Sequence, residues 1–191
     1  MRQLLFAAAA LAALAAPAAP ARADEIADAL RAALEAYEAG DLAVAREEAD
    51  YAVQLLAQKK AGDLTAFLPE PPAGWTREVS DAASGGVMTM FGGGLTAEGV
   101  YASPAGDSAE VRLIADSPML AAMAAMFSSP AAMGAMGRVT RIKRVNFAVG
   151  QDGEIQGMIG GKVLIQVSGS AAESDKVALI EAIDFEALEG F

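Results

Sequence analysis

The side chains with the most distinctive chemistry in this chain are thioethers. Met119, Met123 and Met126 stand at i, i+4 and i+7, a spacing that places them on one helical face, and Met133 and Met136 follow three residues apart. Thioethers are soft ligands that suit Cu(I), so a site made of methionine alone needs neither histidine nor cysteine. The competing use of such a stripe is packing, because Met fills irregular cores and adaptable apolar grooves. Leu120 and Phe127 interleave with the methionines as a packing face requires. The expectation is that most of Met119, Met123 and Met126 are buried and that no cofactor is bound, with Cu(I) binding as the alternative.

A second cluster is cationic. Arg138, Arg141, Lys143 and Arg144 fall within seven positions of a chain that holds 14 Lys and Arg against 25 Asp and Glu. Read as one long strand, 138–149, the segment turns Arg141 and Lys143 to one side and Arg138 and Arg144 to the other. These four are the candidates for docking an acidic partner or anionic ligand. The commoner use of such charges is to guard an edge strand against pairing with another chain.

Absent residue types exclude more than the present ones assign. With no His, the chain lacks Ser-His-Asp hydrolysis and histidine general bases. With no Cys, it lacks thiol nucleophiles, redox pairs and cysteine-ligated clusters. Gly85-Gly86 and Gly92-Gly93-Gly94 flank a candidate strand but are not followed by the Gly-Lys-Ser/Thr ending of a phosphate loop. Gln151-Asp152-Gly153-Glu154 lacks the repeated acidic ligands of a calcium loop and reads as a turn. A net charge of −11 repels nucleic-acid phosphates. The catalytic inventory points away from an enzyme, and a carboxylate-dependent enzyme stands as a further alternative with no residues nominated.

The first 23 residues have the layout of a secretory signal: a basic start at Arg2, an uncharged run from Leu4 to Ala16, and Ala21-Arg22-Ala23 before Asp24-Glu25. The apolar run is short of the ~20 residues that a spanning helix needs. Cleavage after Ala23 and a periplasmic location are therefore expected, with no integral membrane span in the mature protein. The mature chain then carries net −13 over 168 residues, enough for one domain with an appendage.

Positioning elements follow from periodicity. Residues 24–61 read as a helical hairpin, with Ile26, Leu30, Ala33, Leu34 and Tyr37 on one face and Leu42, Ala45, Ala49, Ala52, Val53 and Leu56 on the other helix. Gly40 is placed to end the first helix and Asp41 to cap the second. Residues 62–74 form a Pro-rich linker, followed at Trp75 by period-two patterning. Candidate strands are Val87–Phe91, Leu95–Ala102, Ala109–Ala115, Arg138–Val149, Glu154–Ile159 and Lys162–Ser168. Ser117-Pro118 and Ser129-Pro130 each start a helix, Ser170 to Glu173 has capping-box spacing, and a last helix closes the chain. The predicted fold class is α+β: a helical hairpin, then an antiparallel sheet of about six strands backed by helices over 75–191.

Tyr37-Glu-Ala-Gly40-Asp41-Leu42-Ala-Val-Ala45, with Ala49 and Ala52, resembles a tetratricopeptide unit, although no second copy follows and arrays need at least three. In the order of its elements, 75–191 is similar to the PsbP-like superfamily. YEAGDLAVAREEADYAVQLLAQKKA and FLPEPPAGW resemble segments of exported proteobacterial proteins without an assigned activity. The PsbP-like resemblance implies a binding or assembly role outside the cytoplasm. The functional expectation is thus an exported, non-enzymatic binding or accessory protein of the envelope, whose partner is a protein or small molecule and not a nucleic acid.

Overall fold

The computed structural model describes residues 24–80 and 94–191. The signal segment and the candidate strand Val87–Phe91, with Met88, Met90 and Gly85, Gly86, Gly92 and Gly93, lie outside the described residues. The chain divides into two compact units, one ending at Ala52 and the other spanning Val53–Phe191.

The first unit holds α1 (Glu25–Glu38) and the start of α2 (Leu42–Thr65). Asp24 caps α1 by accepting from the Ile26 amide at 3.2 Å. Gly40 ends it at φ +83°, while the Gly40 and Asp41 amides reach back to the carbonyls of Tyr37 and Ala36, which is the Schellman arrangement. The Asp41 carboxylate then accepts from the Val44 amide at 3.1 Å and opens α2. Both expected helix signals are realised. Little of this unit is buried: among residues 24–52 only Ala29 and Ala52 are buried, and Leu30, Leu34, Tyr37 and Leu42 are at least half exposed. Helix α2 also runs past the expected end at 61, to Thr65.

The second unit is built on a seven-stranded, wholly antiparallel sheet in the order β1-β2-β3-β7-β6-β5-β4. Its strands are β1 (Thr76–Ser80), β2 (Leu95–Ala102), β3 (Ser108–Ala115), β4 (Arg138–Ile142), β5 (Val145–Val149), β6 (Ile155–Ile159) and β7 (Val163–Ser168). Helices α3 (Pro118–Ser128) and α4 (Pro130–Met136) separate β3 from β4, and α5 (Glu173–Ala182) and α6 (Phe185–Glu189) end the chain. The α+β class and the helix-pair-then-sheet order are as predicted.

Alternation along each strand gives the sheet two different faces. Ala97, Tyr101, Val111, Leu113, Phe147, Ile155, Ile165 and Val167 point to one face. There they pack with Leu64 of α2, Leu68 just beyond it, Leu179 and Ile180 of α5, and Phe185 and Leu188 of α6. On the opposite face a smaller cluster of Ile114, Ala148, Met158 and Leu164 is covered by Leu120 and Phe127 of α3 and Met133 of α4. The serine-proline starts hold: the Ser117 and Ser129 side chains accept from the Met119 and Ala132 amides.

Three local expectations are corrected. Residues 138–149 are two strands, because Lys143 and Arg144 adopt φ of +45° and +72° and turn the chain within two residues, pairing Ile142 with Val145. No Gly, Asn or Asp marks this turn in the sequence. The Lys143 ammonium instead secures it, donating to the Ile183 carbonyl at 2.9 Å and lying 5.3 Å from the Phe185 ring centroid. The capping box at Ser170–Glu173 does not form either: Ala172 is the N-cap of α5, with no side-chain cap bond. The third correction concerns the methionines. Met119 and Met126 are 42% and 43% exposed and Met123 is half-buried, whereas Met133 is fully buried. Helix α3 carries more apolar surface than the sheet can cover, so its stripe straddles the edge of the packed face. Urea unfolding is expected to show Met133→Ala losing ~2–5 kcal/mol and Met126→Ala within ~0.5 kcal/mol of wild type. Equal losses would contradict this placement.

The Pro-rich segment is clamped to the sheet. The buried Tyr101 hydroxyl donates to the Pro69 carbonyl at 2.6 Å, and the Arg77 guanidinium donates to the carbonyls of Leu68 and Pro69 at 3.1 and 2.8 Å. Burial pushes the Tyr101 pKa up to about 12, against the opposing effect of Arg77. Trp75 packs at the margin of the larger core.

Candidate functional site

The face opposite the larger core carries polar side chains wherever α3 and α4 do not reach. Glu98 of β2 pairs with Arg112 of β3, Arg112 with Gln166 of β7, and Gln166 with Gln156 of β6, so one register row crosses four strands as a polar ladder. In the next row Glu110 stands opposite Ser168. Glu154, one residue before β6, completes the group. Glu110, Arg112, Glu154, Gln166 and Ser168 line a depression of about 140 Å³.

Period-two geometry explains the convergence. Glu110 and Arg112 are two apart on β3, and Gln166 and Ser168 two apart on β7, so both pairs project to the same side while Val111 and Val167 go to the core. The turn before β6 brings in Glu154. The Gly150 amide donates to the Glu154 carbonyl at 2.8 Å, and Gly153 takes φ +77°. Lys176, 3% exposed on α5, donates to the Gly153 carbonyl at 2.8 Å and holds that turn from below.

The electrostatics are asymmetric. Arg112 donates from Nε and Nη2 to one Glu98 oxygen at 3.1 and 2.9 Å, and Nη2 also contacts Glu110. One guanidinium thus serves two carboxylates. Among the described residues, the Glu154 carboxylate accepts a side-chain hydrogen bond only from the neutral Gln166 amide, at 3.4 Å. Burial raises the Glu154 pKa, and the negative charge of Asp152 adds to the rise, while Arg112 and Lys176 oppose it. The depression therefore holds a carboxylate whose ionised form is disfavoured by burial. A group of three or more His, Cys, Asp or Glu able to hold a metal ion is absent among the described residues.

The sites expected from sequence are placed as follows. Arg138 is ion-paired with Glu173, and Lys143 is committed to the turn and to Ile183. Arg141 and Arg144 are exposed, and Arg141 lies opposite Asn146 on β4, which is an edge strand. The four cations thus divide between fold and surface. Glu98, Glu110, Arg112, Glu154 and Gln166 were legible only as the wet side of alternating strands. What distinguishes them is register, which brings charged positions far apart in sequence into one row.

No family model, curated protein or solved structure matches this chain.

Proposed function

We propose that this is an exported, non-enzymatic binding protein whose polar ladder receives the ammonium end of a small organic cation. Glu154 carries this reading: a part-buried carboxylate with a raised pKa whose one hydrogen-bond partner among the described residues is neutral, beside a guanidinium already shared by two other carboxylates. A depression of about 140 Å³ suits one charged end of a ligand, since drug-sized pockets run to ~300–1,000 Å³. An ammonium there pairs with Glu154 and donates to Gln166, Ser168 or Glu110 with its remaining protons. The location beyond the inner membrane rests on the signal-like N-terminus. The binding role accords with the resemblance of 75–191 to PsbP-like proteins.

A carboxylate-dependent enzyme is the second reading, because Glu154, whose pKa burial raises, lines the same depression as a second carboxylate, Glu110. The commitment of Arg112 to both Glu98 and Glu110 favours binding. Isothermal titration with diaminobutane is expected to give saturable heat, while neutral butanediol gives none. Glu154→Gln is expected to weaken diamine binding about tenfold, equivalent to ~1.4 kcal/mol. Unchanged affinity in Glu154→Gln would contradict the proposed site.

A further inference from the structure

Helix α1 is strongly amphipathic, yet its apolar stripe is open. On the helical wheel Leu30, Leu34 and Tyr37 fall within a quarter turn of one another, and they are 50%, 56% and 64% exposed. The first unit buries only Ala29 and Ala52 among its described residues, so it has almost no core of its own. Further apolar side chains stand open on α2, where Leu42, Val44 and Tyr51 are exposed. A two-helix unit exposing this much Leu, Val and Tyr has the character of an interaction surface.

The charge around the stripe selects the occupant. Residues 24–52 hold nine acidic and two basic side chains, a net charge of −7. Both arginines are already engaged within their own helices, Arg31 with Asp28 and Arg46 with Asp50. Two copies of this surface would bring −7 against −7. A cationic partner gains from the same field, and its arrival is steered by it. We infer that the α1–α2 hairpin docks a basic amphipathic helix of another protein, with apolar residues at i, i+3, i+4 and i+7 laid on Leu30, Leu34 and Tyr37 and Lys or Arg at its flanks. This surface is independent of the polar ladder.

The test uses the full chain and a synthetic Leu/Lys amphipathic helix of about 18 residues, with a Leu/Glu peptide of the same apolar pattern as control. Fluorescence anisotropy is expected to show binding of the Lys peptide and none of the Glu peptide. Tyr37→Gln and Leu34→Gln leave the charge unchanged, and each is expected to weaken binding at least about fivefold, ~1 kcal/mol. Circular dichroism of both variants is expected to match wild type, because Gln is a good helix former and both sites are exposed. Binding that ignores both substitutions would mean that the charge alone attracts the peptide, and the inference would fall. So would a lack of binding, equal binding of the Glu peptide, or a dimer in sedimentation that Leu34→Gln dissociates.

Discussion

Gly157→Ala is expected to destabilise the protein by about 3 kcal/mol or more, at the upper end of what overpacking a core costs. Gly157 on β6 sits directly opposite Phe147 on β5, and a Cβ added there would come within 2.4 Å of the phenyl Cδ1 and 2.6 Å of Cε1. Neither partner has room to yield. Phe147 is fully buried and lies against Phe185, with ring centroids 6.0 Å apart. The ring thus covers a strand glycine, supplying the surface that the glycine lacks. Phe147→Ala alone removes a large buried side chain and is expected to cost ~3–5 kcal/mol. The double variant is expected to lose less than the two single losses combined, because each change relieves the strain or fills the space left by the other. Urea unfolding of the four proteins measures this coupling, and strictly additive losses would show that the ring does not lie over the glycine.

The second large effect is at Arg112. Arg112→Met keeps the length of the stem and removes the guanidinium that holds Glu98 and Glu110 together. The Arg112 side chain is 29% exposed, so the penalty is smaller than for a fully buried pair. At neutral pH a loss of roughly 1–3 kcal/mol is expected, discounted from the ~3–5 kcal/mol typical of breaking a buried pair. Most of that loss comes from like charges left side by side. It is therefore expected to shrink as salt screens the two carboxylates from each other. Melting curves of wild type and variant at low and high salt decide this. A gap that is independent of salt would mean that the guanidinium acts only through packing.

Much of the scaffold is legible in the sequence. The Gly40-Asp41 junction and the two Ser-Pro helix starts use residues whose backbone preferences and capping chemistry are local, so the local sequence suffices to place them. The Lys143-Arg144 turn was missed because neither residue favours positive φ. Its stability comes from Ile183 and Phe185, 40 or more positions away. Exposure on α3 was missed for a related reason. Periodicity says which residues share a face and nothing about whether another element arrives to cover it. The polar ladder was invisible for a third reason: Glu98, Arg112, Gln166 and Gln156 are neighbours only through the strand order β2-β3-β7-β6, in which β7 is inserted beside β3. Each one alone is an ordinary solvent-facing residue on an alternating strand.

The proposed function turns on the charge state of Glu154, and the pH dependence of amine affinity reads that state directly. A diammonium ligand stays charged throughout the acid and neutral range, so it contributes no titration of its own there. Glu154 has a raised pKa, chiefly through burial. Below that value the group is protonated and offers the ligand no charge, and above it the carboxylate is free to pair. The affinity of diaminobutane for wild type, measured by calorimetry from pH about 4 to pH about 7, is therefore predicted to rise through the Glu154 titration and level off above it. The same series for Glu154→Gln is predicted to be weak and nearly flat. Wild-type affinity that is independent of pH, or a rise of equal size in Glu154→Gln, would contradict the account.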